Sequence, residues 1–158
     1  MRIMVTGHRP DKLYGYDINN TKYYKLKDKL KQILIENNCT EAISGMALGT
    51  DTIFALTAIE LKHEGHNIKL HCAIPCQKHD SHWNSYDRKR YAKILEIADK
   101  TTLVTDAPYQ PHLMQKRNEF MVDNADLIIA VWDGSSGGTA NCVKYAKSKN
   151  KKIIQIKP

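Results

Sequence analysis

Short apolar runs alternate with longer amphipathic segments along the whole chain. The run Leu127–Val131 (LIIAV) is wholly apolar and rich in β-branched residues, which is typical of a strand covered on both faces of a parallel sheet. Other segments repeat apolar residues at helical spacing, as Leu26, Leu30, Ile33 and Leu34 do. This alternation predicts an α/β fold in which helices connect parallel strands.

The pattern predicts six strands and five helices. The predicted strands are Arg2–Val5, Glu41–Ser44, Ile68–Ala73, Thr101–Val104, Leu127–Val131 and Lys152–Ile156. The predicted helices are Thr21–Asn37, a second helix that the Gly45–Asp51 stretch opens and that stops near Gly65, Tyr86–Ala98, Leu113–Asn124 and a last helix with Thr139 as its N-cap. We expect residues 1–158 to form a single Rossmann-like three-layer domain, with a mostly parallel sheet of about six strands flanked by helices.

Three loops carry glycine at the edge of the sheet where ligands bind in open α/β proteins, outside the carboxyl ends of the strands. We predict ligand contacts from all three, with Asp51 also capping the helix that follows it. The predicted contacts are Gly7, His8 and Arg9 after strand one; Gly45, Met46, Gly49, Thr50 and Asp51 after strand two; and Asp133, Gly134, Ser135, Gly137, Gly138 and Thr139 after strand five.

The loop after strand five indicates the kind of ligand. Its small residues let backbone N–H groups approach a bound molecule closely. The helix that follows adds unpaired N–H groups and about half a positive charge at its N-terminus, so phosphate is the favoured occupant. The alternative is that the loop is only a turn, as glycine- and serine-rich connections often are.

Composition narrows the possible partners and the cellular location of the protein. The net charge of +7 favours polyanionic partners, so both nucleotides and nucleic acid remain candidates. No apolar run approaches the ~20 residues of a membrane span, and Met1 leads directly into a strand, so we expect a cytoplasmic protein without a membrane partner. The four cysteines are expected to be free thiols.

Two further groups of residues allow more than one interpretation. Trp83 is interpreted either as a core residue or as a platform for a base or ribose. Cysteine and histidine can form a tetrahedral zinc site, and four such residues lie close together in sequence: Cys72, Cys76, His79 and His82. Because Cys72 falls inside a strand and Pro75 intervenes, no metal is predicted, and no cofactor either.

Two motifs resemble the SLOG superfamily, which includes the DNA-processing (DprA/Smf) proteins and the LOG-type nucleoside-monophosphate phosphoribohydrolases. Ser44–Asp51 (SGMALGTD) is similar to the SGxAxGID loop of the first branch, and Met114–Asn118 (MQKRN) to the MxxRK element of the second. The similarity covers nearly the whole chain. The TGHRP opening and the short length are similar to the compact YpsA/YoqJ-type members.

The resemblance implies a Rossmann-like domain that binds a nucleotide or nucleotide-derived ligand and assembles as a homodimer or higher homo-oligomer. It also implies that Arg117, expected to be partly exposed, contacts the phosphate. LOG-type hydrolases use a PGGxGTxxE motif. Here Gly138 and Thr139 match, but the glutamate position falls on Cys142, and an ordinary thiol, mostly neutral at pH 7, cannot replace a carboxylate beside an oxocarbenium-like sugar.

Three functions therefore remain open. The preferred one is a module that senses, carries or sequesters a nucleotide-derived small molecule. The second is an enzyme acting at an N-glycosidic bond, as a hydrolase or a transferase, in which Arg117 takes part and a carboxylate replaces the missing glutamate; the candidates are Asp133, Glu119 and Asp80. The third is a single-stranded DNA binder. The net positive charge favours this function, whereas the chain has no run of basic residues interleaved with aromatic ones, which argues against it.

Overall fold

A computed structural model describes all residues, 1–158. Six strands and five helices alternate along the chain. The strands are β1 (Arg2–Gly7), β2 (Glu41–Ser44), β3 (Lys69–Ile74), β4 (Lys100–Leu103), β5 (Leu127–Val131) and β6 (Lys152–Ile156). The helices are α1 (Thr21–Glu36), α2 (Thr50–His63), α3 (Ser85–Ile97), α4 (His112–Asn124) and α5 (Gly138–Ser148), and a short 3₁₀ turn covers Pro10–Lys12. None of the helices is long and apolar enough to span a membrane.

All six strands form one parallel sheet in the order β4-β3-β2-β1-β5-β6. The chain builds outward from β1 on one side, then returns to place β5 on the other side of β1. The loops after β1 and β5 therefore leave the sheet toward opposite faces. A crevice opens between them at the carboxyl edge, which is where doubly wound folds bind ligands.

Helices cover both faces of the sheet, as the uninterrupted apolar strands predicted. On one face, α1, α2 and α3 bury the larger core, which includes Tyr23, Leu30 and Phe54. On the other, α4 and α5 enclose a smaller core around Met121 and Cys142. Neighbouring residues of the central strands β1, β2, β3 and β5 enter opposite cores, so the predicted three-layer α/β architecture is confirmed.

The differences from the predicted elements are local. Strand β1 runs on to Gly7, because its last residues pair with the end of β5. The cap predictions for α2 and α5 were wrong: Gly49 and Gly137 occupy the N-cap positions, and both have positive φ angles, of 87° and 139°. Asp51 and Thr139 lie inside the first turns of these helices.

Two of the loop glycines are required by packing of the protein against itself. A Cβ on Gly7 would lie 2.6 Å from the side chain of Thr50, and one on Gly49 would lie 2.9 Å from the carbonyl oxygen of His8. Thr50 in turn donates to that same carbonyl through its hydroxyl, at 2.9 Å, and its N–H, at 3.3 Å. The loops after β1 and β2 are thus held together at the edge of the crevice.

We expect Gly7→Ala to lower the free energy of unfolding by roughly 1–3 kcal/mol, the usual cost of overpacking a filled site. Urea denaturation measures it. Gly138→Ala is the matched control, because its Cβ would meet no atom within 4 Å and its φ angle is not positive. Equal stability of the two variants would contradict the close packing of Gly7 on Thr50.

Candidate functional site

A cavity of about 270 Å³ lies at the switch in strand order, between the loops that follow β1 and β5. We call it the switch-point cleft. It is lined almost wholly by polar residues and glycine. Nine of the predicted ligand-contact residues line it: Gly7, His8, Arg9, Asp51, Arg117, Ser135, Gly137, Gly138 and Thr139.

One wall of the cleft is the N-terminus of α5. The backbone N–H groups from Ser136 through Ala140 donate to no acceptor in the protein. Gly137 and Gly138 carry no side chain into this wall, and a Cβ on either would meet no atom within 4 Å. A run of free N–H groups at the positive end of a helix dipole favours an anion.

The opposite wall carries two free cations. Arg9 and Lys12 are exposed and line the cleft. Neither pairs with a carboxylate of the chain. Their charges therefore remain available to an anionic ligand at the start of α5. The guanidinium of Arg9 can bind a phosphate or carboxylate through two parallel hydrogen bonds.

Arg117 lies at the floor of the cleft, and the expectation that it is partly exposed was wrong. Only 3% of the residue is exposed. Its Nη1 donates to the carbonyl oxygens of Gly45 and Ala73, and its Nε donates to the Asn118 side chain. Burial and the nearby charge of Arg9 lower the pKa of Arg117, while the charge of Asp51 opposes this.

Asp51 supplies the buried negative charge opposite Arg117. It is 8% exposed, and its Oδ2 accepts from the N–H of Ala47 at 3.2 Å. Burial raises the pKa of Asp51, and the positive charge of Arg117 partly offsets that rise. The Asp51 carboxylate already lies at the start of α2. Of the two helix N-termini, those of α2 and α5, only that of α5 has no acidic side chain in its first turn.

His8 connects the loops after β1 and β5. Its Nε2 lies 3.0 Å from Oδ1 of Asp133, which also accepts from the N–H of Ser135 at 2.9 Å. Hydrogen bonds from Ser135 and His8 hold the pKa of the Asp133 carboxyl well below its usual range. Asp133 thus fixes the shape of the loop from outside the cleft rather than lining it.

The other predicted contacts also lie outside the cleft, for reasons of packing. Gly45 lies behind the Arg117 guanidinium, which a Cβ there would meet at 2.7 Å. Gly49 and Thr50 pack under the His8 carbonyl, Met46 is buried, and Gly134 forms the outer part of its turn. Trp83 lines an adjoining cavity.

Several lining residues were not predicted: Thr6, Asp11, Lys12, Ala47, Met114, Asn118 and Ser136. Asp11 and Lys12 are brought in by the 3₁₀ turn that follows Pro10, and proline at the start of a helical turn was the signal that could have revealed them. On α4, Met114 lies about one helical turn before Arg117, and Asn118 follows Arg117 directly. Met114 and Asn118 are four residues apart and so share one face of the helix, a spacing from which they could have been found.

The cysteines and histidines do not cluster as metal ligands would. No three His, Cys, Asp or Glu side chains converge with metal-ligand geometry. All four cysteines are free, as expected. Burial raises the pKa of the Cys142 thiol to about 11, so at neutral pH this residue carries no charge.

The fold and the cleft define the class of protein: a doubly wound parallel α/β domain with a cationic crevice at its topological switch point. Comparison with known families identifies it further. The model of the YspA SLOG family matches residues 3–158, so the chain belongs to that family.

Relatives in this family come from bacteria and a prophage. The SPbeta prophage-derived protein YoqJ of Bacillus subtilis strain 168 is 34% identical over 145 residues, which span 82% of this chain and 85% of YoqJ. A UPF0398 protein of Levilactobacillus brevis is 29% identical over 136 residues, which span 84% of this chain and 72% of the relative.

Two solved structures share the fold at low sequence identity. DNA processing protein A from Streptococcus pneumoniae superposes with a TM-score of 0.67 at 14% identity, over 99% of this chain and 50% of that protein. The Helicobacter pylori protein of the same name, which binds single-stranded DNA, gives 0.69 at 17% identity, over 100% and 66%. This chain therefore spans about half to two thirds of those proteins.

Arg117→Ala is expected to lower the free energy of unfolding by roughly 3–5 kcal/mol, as when one member of a buried charge pair is removed. The loss should be smaller at pH 5 than at pH 8. The pKa of Asp51 is already raised by burial, and removing Arg117 raises it further. The folded variant then binds a proton more tightly than the unfolded chain, so its stability rises as the pH falls through that pKa.

Urea denaturation at the two pH values tests this prediction. Arg88→Ala is the control, since Arg88 is an exposed arginine whose only partner is Asp80. A variant of Arg117 as stable as the control at both pH values would contradict the structural role of the buried guanidinium.

Proposed function

We propose that the protein binds a nucleotide or nucleotide-derived ligand in the switch-point cleft, as a module that senses, carries or sequesters it. One observation carries the proposal: Ser136 to Thr139, whose N–H groups are free, line the same cleft as the unpaired cations Arg9 and Lys12. Backbone donors on one side and a guanidinium on the other suit the oxygens of a phosphate.

The geometry favours the N-terminus of α5 over that of α2 as the phosphate position. Asp51 would repel an anion at the start of α2, and Thr50 already donates its N–H to His8. The start of α5 has no acidic residue in its first turn and no side-chain cap. A phosphate there gains the helix dipole without displacing a protein group.

The enzyme alternative receives less support, because none of the three predicted carboxylates lines the cleft. Asp133 is hydrogen-bonded to His8 and Ser135, and Asp80 pairs with Arg88. Cys142, at the position of the LOG glutamate, is buried and neutral. Asp11 and Asp51 do line the cleft, so a reaction at an N-glycosidic bond would have to use one of them.

Single-stranded DNA binding is the second candidate, favoured by the net charge of +7 and by exposed tyrosines near the cleft. Tyr16 and Tyr109 are 63% and 57% exposed, and bases stack on such side chains. The Helicobacter pylori protein with this fold binds single-stranded DNA.

Fluorescence-anisotropy titration of labelled oligothymidylate at 50 and 200 mM salt separates the two candidates. If a nucleotide is the ligand, we expect the protein to bind the oligonucleotide only through nonspecific charge attraction. That affinity should be lost between 50 and 200 mM salt, because counterions compete for the lysines. Micromolar or tighter oligonucleotide affinity that persists at 200 mM salt would favour the DNA binder.

Gly138→Val tests the nucleotide proposal directly. Its side chain would stand among the free N–H groups, so the variant should lose at least tenfold in affinity for a nucleoside 5′-monophosphate such as AMP, measured by calorimetric titration. Stability should stay within about 1 kcal/mol of the parent, because the φ angle is not positive and valine is a better helix former than glycine.

Ser148→Val is the matched control, an exposed residue at the far end of the same helix. It should bind AMP as the parent protein does. A folded Gly138→Val protein with parental affinity would show that the loop after β5 is only a turn.

A further inference from the structure

A second cavity, of about 540 Å³, adjoins the switch-point cleft. Four residues line both: Arg9, Asp11, Ala47 and Met114. Unlike the polar cleft, this cavity has aromatic walls, formed by Tyr16, His79, His82, Trp83 and Tyr109. We call it the aromatic cavity. One molecule can therefore occupy both cavities, with a charged end in the first and an apolar, planar end in the second.

The indole of Trp83 is held in place by two neighbouring aromatic rings. Its ring lies edge-on to His79, with centroids 5.1 Å apart, and to Tyr91, with centroids 5.2 Å apart. Tyr91 belongs to the larger core, so Trp83 is anchored to rigid structure. A fixed aromatic ring in a cavity wall can stack on a flat ligand without losing much conformational freedom.

His79 adds hydrogen-bonding capacity to this wall without adding charge. Burial, with the charges of Arg117 and Arg9, lowers the pKa of His79 to about 3, so the imidazole is neutral at physiological pH. Its Nδ1 is buried and has no hydrogen-bond partner. A neutral imidazole has one donor and one acceptor nitrogen, which suits the edge of a nucleobase better than another phosphate.

The backbone is strained beside two residues that line the aromatic cavity. Met46 and Lys78 have φ angles of 59° and 53°, in the left-handed region that glycine and asparagine usually occupy. Met46 precedes Ala47, which lines both cavities, and Lys78 precedes His79. Strain of this kind concentrates at binding sites, because surrounding structure must hold it in place.

We propose that the aromatic cavity holds the base of a mononucleotide whose phosphate lies at the N-terminus of α5, with Trp83 stacking on the base and His79 facing its edge. This inference rests on the proposed function and deepens it: the ligand is a nucleoside monophosphate, and the base is recognised separately from the phosphate. Met114 and Arg9, which line both cavities, lie beside the ribose.

Calorimetric titrations with two kinds of probe test the inference. The four ribonucleoside 5′-monophosphates carry base, sugar and phosphate, whereas ribose 5-phosphate lacks the base. We expect at least one monophosphate to bind about tenfold or more tightly than ribose 5-phosphate, in line with the gain from stacking one base on an aromatic side chain. Trp83→Ala should abolish that difference and leave the affinity for ribose 5-phosphate within twofold.

Three further variants separate loss of stacking from loss of fold. Trp83→Phe keeps a stacking ring and should retain most of the difference. Tyr109→Ala removes an exposed ring from the same cavity, at little cost to the core, and should reduce the difference about threefold or more. Tyr24→Ala, an exposed tyrosine of α1 outside both cavities, should have no effect.

The outcomes separate this inference from the proposed function. If ribose 5-phosphate binds as tightly as all four monophosphates, or if Trp83→Ala weakens both kinds of probe equally in a folded protein, the base site is refuted while phosphate binding stands. If neither kind of probe binds at millimolar concentration, both proposals are refuted.

Discussion

The buried guanidinium of Arg117 is the contact on which the site depends. It reaches from α4 to the carbonyl oxygens of Gly45, just beyond the end of β2, and Ala73, in β3, and it lies opposite the buried Asp51. A charge this far from water is tolerated only where hydrogen bonds and an opposite charge compensate it. Helix α4 and the loop that opens α2 are therefore held in register by one side chain.

That arrangement also divides the charges by role. Arg117 and Asp51 offset each other inside the protein, so neither contributes much free charge to a ligand. Arg9 and Lys12, which have no acidic partner, and the start of α5 supply the attraction. The cleft is thus built from a neutralised floor and two walls that carry positive character, which explains why a phosphate would lie against the walls.

The loop glycines also fall into two groups, one required by the fold and one open to a ligand. Gly7, Gly45 and Gly49 are required because protein atoms crowd their α-carbons, whereas Gly137 and Gly138 face open space. Sequence motifs cannot separate these cases, since both read as a glycine-rich loop after a strand. The distinction matters for mutagenesis: substitutions in the first group test the fold, and Gly138 tests the ligand.

The sequence by itself determined the layered α/β fold and the order of its elements, because apolar periodicity is a local property of each strand and helix. It also placed the candidate site at the carboxyl ends of the strands, and the motif around Arg117 pointed to the family. Only the tertiary structure decided that Arg117 is buried, that Asp133 lies outside the cleft, and that Trp83 lines a separate cavity. Burial and adjacency depend on segments far apart in the chain, and no local pattern encodes which of them meet.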